Sequence, residues 1–301
     1  MKQMEEEQII ELAKKHNFEL QGRDWILNQS GLDFSVVLFE DEAGIYWILR
    51  IPRRADVQSE IEKEKRILDV VEPNLNVQAP KWELVTDELI AYKALNGVPV
   101  GTYKPELQQF DWELDPKNLS DNFVSSLAQA LVSLHSIPFD KLEAGGLATQ
   151  SIAEVRSTMQ RRMGKVKAAL EINPKLWARW QNWIGDDSYW PEHTGFIHGD
   201  LHAGHMLIDK EERVTGFIDW TEAKVADVST DFLGHRIAYE DEELERLIKA
   251  YGQAGGIIWP RMKDHILELA TTTPIDIAEF ALKSGSEEYM EMARKMLLEQ
   301  R

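Results

Sequence analysis

The stretch Phe196-Ile-His-Gly-Asp-Leu-His-Ala-Gly-His-Met-Leu-Ile-Asp209, followed by Gly216-Phe-Ile-Asp-Trp220, carries most of the chemistry legible in this chain. An apolar entry, a polar loop, a short strand, a turn and a second strand ending in Asp219 make one compact unit. Asp200, His205 and Asp219 then stand at the ends or turns of neighbouring elements, where polar groups can converge on one point of a cleft. In a strand interior they would alternate between faces. Asp200 precedes His205 by five residues and Asp219 by 19. This layout suits phosphoryl transfer, which needs a carboxylate to orient and deprotonate an acceptor hydroxyl and ligands for a Mg²⁺ ion bridging the β- and γ-phosphates. Asp200 is the candidate base. Asp219 is the candidate Mg²⁺ ligand, because hard cations prefer carboxylate oxygen. His202 and His205 with Asp219 offer a competing zinc reading, but no further His or Glu sits nearby on a helical face to complete it.

Working upstream, residues 34–39 and 45–51 read as period-two strands joined by turn chemistry at Asp41, Glu42 and Gly44, a β-hairpin. In the second strand Tyr46, Ile48 and Arg50 share one face. Residues 57–71 read as a charged helix stopped by Pro73, with the stripe Ile61, Glu64, Leu68 and Val71 at helical spacing. Glu64 is the one charge on that apolar face and needs a partner. Arg50 is the natural choice, and Glu60, one turn earlier, is the rival for it. Residues 5–15 read as a helix, and 81–85 with 88–92 as another short strand pair. Residues 1–94 therefore read as an α+β lobe, a small sheet with one internal helix.

Residues 95–301 read as a second, mostly helical lobe. The span 122–136 is amphipathic through Phe123, Leu127, Ala130, Leu131 and Leu134. A loop is expected at 139–149, and helices at 152–170, 174–183, 230–239, 241–252, 259–271, 275–284 and 287–299.

The 301 residues include 34 Lys+Arg and 52 Asp+Glu, a net charge of −18, which argues against phosphate-backbone binding and so against a nucleic-acid partner. With no cysteine, a thiol nucleophile, a disulfide scaffold and a Cys-ligated metal are excluded. No stretch approaches the ~20 apolar residues that span a bilayer. The acidic start lacks the basic and apolar regions of a secretory signal, so the expected location is the cytoplasm, without a membrane partner.

His198-Gly-Asp200, His205 five residues on and Ile218-Asp-Trp220 together resemble the aminoglycoside phosphotransferase branch of the kinase-like fold. The wording is most similar to the macrolide 2′-phosphotransferases, in Ile51-Pro-Arg-Arg54, His198-Gly-Asp-Leu-His-Ala-Gly-His205, Ile218-Asp-Trp-Thr-Glu-Ala223 and Asp227-Val-Ser-Thr-Asp231. The resemblance implies an α+β, bilobed protein-kinase-like fold and transfer of the γ-phosphate of GTP or ATP, with Mg²⁺, to the amino-sugar 2′-hydroxyl of a macrolide antibiotic. A monomer is the working expectation. The general kinase pattern has Asn where His205 stands, and imidazole is a softer ligand than an amide oxygen; the macrolide branch is similar in having His there. The phosphate-gripping lysine corresponds to Arg50, whose forked guanidinium is a sound substitute. The phosphate-covering loop Asn28-Gln-Ser-Gly-Leu-Asp33 has a single glycine, with Ser30 as its candidate contact. The resemblance also implies that the connector with Tyr92, Lys93 and Ala94 offers backbone hydrogen bonds to the purine. A substrate amine calls for a carboxylate near the loop, and of Glu222, Asp227 and Asp231 the choice falls on Asp231. The alternatives are a kinase for an aminoglycoside or a metabolic amino-alcohol, and a non-catalytic binding protein.

Overall fold

A computed structural model describes residues 5–29, 33–54, 57–104 and 109–299. In the N-terminal part, α1 (Glu6–Lys15) covers one face of a five-stranded antiparallel sheet. Its strands are β1 (Trp25–Asn28), β2 (Phe34–Glu40), β3 (Tyr46–Pro52), β4 (Trp82–Val85) and β5 (Ile90–Lys93), in the order β1-β2-β3-β5-β4. Alternation sorts the hairpin's side chains. Val37, Phe39, Leu49 and Ile51 pack with Ile9 and Ala13 of α1, while Val36, Leu38, Ile48 and Arg50 take the other face and line a cleft. Helix α2 (Gln58–Val71) buries Ile61, Glu64, Ile67, Leu68 and Val71. Strand β1 adds an edge that the sequence does not announce, for it is four residues long and leaves Ile26 66% exposed.

The chain then enters the helical part by a route the sequence pattern hides. Strand β6 (Val98–Pro99) pairs with β10 (Met206–Ile208), and β7 (Gly101–Lys104) with β8 (Gln109–Trp112) forms a hairpin in a stretch to which the sequence reading assigns no element. Its Tyr103 and Phe110 face solvent, so no buried stripe marks it. Helix α3 (Asp121–His135) is capped by the Ser120 hydroxyl, which accepts from Phe123 N–H. The expected loop after it begins instead with α4 (Phe139–Ala144), a helix anchored by one buried residue, Leu142, too little for a periodic signal. Helices α5 (Ile152–Ala169) and α6 (Pro174–Gly185) follow. Next come β9 (Gly195–Ile197), β10, β11 (Val214–Phe217) and β12 (Lys224–Ala226), paired β9 to β12 and β10 to β11.

The helix expected at 230–239 is two pieces, a 3₁₀ turn at Val228–Phe232 and α7 (Leu233–Ala238). Asp227 accepts from Ser229 N–H and so starts the turn early. The remaining helices are α8 (Asp241–Gln253), α9 (Met262–Ala270), α10 (Thr273–Ser284) and α11 (Glu287–Leu298). A second core of Met163, Trp180, Trp183, Ile275 and Ala293 joins α5, α6, α10 and α11. The α+β architecture expected from the sequence, a small sheet-rich part before a helical one, is the one observed. Among the described residues no helix is long and apolar enough to cross a membrane.

Candidate active site

The segment 198–222 folds back on itself, and one glycine permits it. Gly199 has φ +85°, and a Cβ there would lie 2.5 Å from the Glu222 carbonyl oxygen. His198 is fully buried, and its Nε2–H donates to the Ile218 carbonyl at 3.0 Å. Burial pushes its pKa below the ordinary histidine value, so it is a neutral brace. Beneath it, Asp231 accepts from His198 N–H at 2.9 Å, Gly199 N–H at 2.8 Å and His135 Nε2 at 3.1 Å. Asp231 is 2% exposed, which corrects its selection as partner of a substrate amine. Two loop N–H groups and a histidine already occupy its oxygens.

Asp200 presents its side chain to solvent, 54% exposed. His205 Nδ1 lies 2.8 Å from the Asp200 main-chain oxygen. A carbonyl only accepts, so Nδ1 carries a proton and Nε2 is the nitrogen through which the ring could bind a metal. That nitrogen is 3.7 Å from Asp219 Oδ2. Asp219 itself adopts φ 64°, a left-handed conformation costly for a non-glycine residue and typical of functional sites. Its Oδ1 accepts from the Thr221 hydroxyl at 3.0 Å. Burial pushes the Asp219 carboxyl up, but His205, Arg50 and Thr221 outweigh it and hold the group below the usual carboxylate range. A carboxylate oxygen and an imidazole lone pair at this separation fit a divalent cation held between them, so Asp219 and His205 are the residues that could take Mg²⁺.

Asp200, His202 and His205 also bring ligand atoms within 4.8 Å of one another. His202 Nδ1, however, accepts from Gly204 N–H at 3.0 Å, which puts the ring's hydrogen on Nε2. A zinc ion would have to break that arrangement to gain its ligand.

On one side of this loop lies a cleft of about 520 Å³, lined among others by Val36, Ile48, Arg50, Tyr92, Leu207 and Asp219. Arg50 Nη1 donates to both Glu64 oxygens, at 2.8 and 2.9 Å, and the guanidinium stacks 4.2 Å from the Phe34 ring centroid. This is the pairing read from the stripe on α2; the rival, Glu60, stands beside Lys63 at 3.8 Å. Burial lowers the Arg50 pKa, but Glu64 more than restores it, so the cation is secure. Burial raises Tyr92 to about 12.

The expected purine contacts are placed unevenly. Ala94 lines the cleft, yet its N–H donates to the Tyr46 carbonyl at 2.8 Å and is not available to a base. The Leu95 N–H, also at the cleft, has no hydrogen-bond partner among the described residues. Lys93 turns its ammonium to Glu83, 3.1 Å away, and leaves only its backbone for such a role. Ser30 lies outside the described residues.

On the other side of the loop a second cavity, about 530 Å³, begins at Gly199, Asp200 and Glu222 and runs back between Met159, Trp183, Trp190 and Leu269. Asp227 forms part of its lining, held by His265 Nε2 at 2.7 Å and Ser229 N–H at 2.9 Å. Trp183 Nε1 donates to His265 Nδ1 at 3.0 Å, which ties that residue to the aromatic wall. None of the wall residues was read from the sequence as a site residue. They sit on α5, α6 and α9 or beside them, far along the chain from the loop, with only ordinary core periodicity to mark them. Thr221 was within reach, two residues after Asp219 in the motif itself.

The sequence profile of the phosphotransferase enzyme family matches residues 24–265. An uncharacterized protein of Bacillus subtilis strain 168, YcbJ, is 40% identical over 292 residues, covering 96% of this chain and 95% of its own. Among solved structures, macrolide 2′-phosphotransferase type I is similar at 35% identity with a TM-score of 0.89, covering all of both chains. The apoenzyme of macrolide 2′-phosphotransferase MphH from Brachybacterium faecium is similar at 33% identity and TM-score 0.89, over 98% of this chain and 100% of its own. The GDP and kanamycin complex of APH(2″)-IIIa, 16% identical with a TM-score of 0.75 over 97% of this chain and 96% of its own, shares the fold alone.

Proposed function

The chain belongs to the phosphotransferase enzyme family, and from that premise we propose that it is a macrolide kinase, moving the γ-phosphate of GTP or ATP to the 2′-hydroxyl of a macrolide's amino sugar. The observation that carries this reading is the meeting of two cavities at one loop, with Asp219 facing one and Asp200 facing the other. A donor in the first and an acceptor in the second would bring their reacting oxygens together there. The full-length likeness to two macrolide 2′-phosphotransferases supports the acceptor class. So does the character of the second cavity, whose walls include Trp183, Trp190, Met159 and Leu269, since a macrolide is a large apolar ring bearing a cationic sugar.

The chemistry follows from the side chains. Arg50, kept in place by Glu64, grips the donor phosphates in the cleft. Asp219 and His205 are the groups that would hold Mg²⁺, which when bound offsets charge on the β- and γ-phosphate oxygens. Asp200 accepts a hydrogen bond from the 2′-hydroxyl and takes its proton as the new O–P bond forms. The bond to the leaving nucleoside diphosphate breaks in the same step, and the diphosphate departs with the bridging oxygen. His198 and Asp231 hold the loop still meanwhile. A dianionic phosphate on the sugar would spoil the drug's fit to its target, so the transfer would confer resistance. One chain lines both cavities, which suits a monomer in the cytoplasm, where nucleoside triphosphates are plentiful.

The test is a mass-spectrometric product assay with Mg²⁺, crossing GTP and ATP against erythromycin and kanamycin. One phosphate added to erythromycin, faster with GTP, is the expected result. Phosphorylated kanamycin alone would make the chain an aminoglycoside kinase, and transfer to neither acceptor would contradict the proposal.

A further inference from the structure

We infer that Glu222 is the residue that recognises the cationic amine of the acceptor; this rests on the macrolide reading above. The amine of that sugar is carried on the carbon next to the acceptor hydroxyl. With the hydroxyl on Asp200, the anion that meets the amine has to stand beside Asp200 as well. Glu222 does. Its backbone abuts Gly199, the residue before Asp200, and Glu222 is exposed and lines the same cavity.

The other carboxylates of this cavity are committed elsewhere. Asp227 is 2% exposed, with its oxygens on Ser229 N–H and His265. Asp276 is paired with Arg162. Glu222 has no hydrogen bond or ion pair among the described residues, so an incoming cation would displace nothing. The cavity's own cations do not pair with it: Arg162 is held by Asp276 and Glu279, and Lys224, two residues on in β12, makes no ion pair with Glu222. Trp183 and Trp190 line the same cavity, so it offers apolar surface for the amine's alkyl groups as well as a carboxylate for its charge.

The test uses two acceptors with the full chain, GTP and Mg²⁺. These are erythromycin and its 3′-N-oxide, which keeps the ring and the 2′-hydroxyl but carries no net charge on the amine. For the wild type, the KM for erythromycin should be lower by at least about tenfold, as expected for a charge-assisted contact. In Glu222→Gln the KM for erythromycin should rise to that of the N-oxide, with the KM for GTP and the melting temperature unchanged. Glu222→Asp should keep part of the preference. A merely structural role would raise both acceptors alike or lower the melting temperature, and either result overturns the assignment, as does a Gln variant that keeps the preference. A wild-type protein that phosphorylates neither acceptor overturns the functional reading first, and the role of Glu222 with it.

Discussion

Glu64 shows how much one residue can carry. It is a carboxylate with 1% of its side chain exposed, on the apolar stripe of α2, and both its oxygens meet Arg50. Removing one member of a buried ion pair leaves the other charge desolvated and unpaired, which costs about 3–5 kcal/mol. Glu64→Gln is therefore expected to lower the melting temperature by many degrees and to raise the KM for GTP, while the KM for the macrolide stays. Thermal melts and steady-state kinetics read both; an unchanged melting temperature would mean that the pair contributes little. The sequence made Glu64 legible because a lone charge on an apolar stripe demands a partner. It made Asp231 misleading for the opposite reason. A carboxylate four residues after Asp227 looks free to meet a ligand, and nothing local reveals that two loop N–H groups and His135 converge on it. Asp219 was legible in identity but not in its left-handed backbone, which depends on the turn it closes.

At the scale of elements, the loop is positioned by what presses on it. A Cβ at Gly234, in α7, would lie 2.1 Å from the Leu201 carbonyl oxygen and 2.9 Å from His202 Cα. Helix propensity alone favours alanine over glycine by about 1 kcal/mol. The clash decides the sign, because its neighbours are backbone atoms of the Asp200 loop and cannot swing aside. Gly234→Ala is thus expected to lower both kcat and the melting temperature, with kcat lost more steeply. A variant more stable than wild type and fully active would show that α7 and the loop are not in contact. The β2–β3 hairpin, α2, α3 and the β10–β11 pair were all legible, since each has clear alternation, a helical stripe or turn residues at its ends. Strand β1, the β7–β8 hairpin and α4 were not. Each is short, and its defining contacts come from distant elements or face solvent. α2 is also tied across to the loop region, through Lys63 Nζ donating to the Thr221 carbonyl at 2.5 Å, a contact separated by 158 positions and invisible to periodicity.

For the whole molecule, function resides in the division of labour between the two parts. The sheet and α2 present Arg50 to one cavity, and the helical part builds the other around Trp183 and Trp190. The segment from His198 to Glu222 lies between them, and it alone was readable as a unit, because its reactive residues are close in sequence as well as in space. The second cavity was not, since its wall is assembled from α5, α6 and α9 by tertiary packing. The proposed mechanism turns on Asp200, which takes the proton from a macrolide hydroxyl at the junction of these cavities. The direct measurement compares phosphate transfer from GTP to erythromycin by wild type and Asp200→Asn, with thermal melts and nucleotide affinity recorded on the same samples. The expected result is an unchanged fold and GTP affinity with kcat reduced by roughly 10²–10⁴, the usual contribution of a positioned general base. An Asp200→Asn variant that folds, binds GTP and keeps most of its turnover would contradict it.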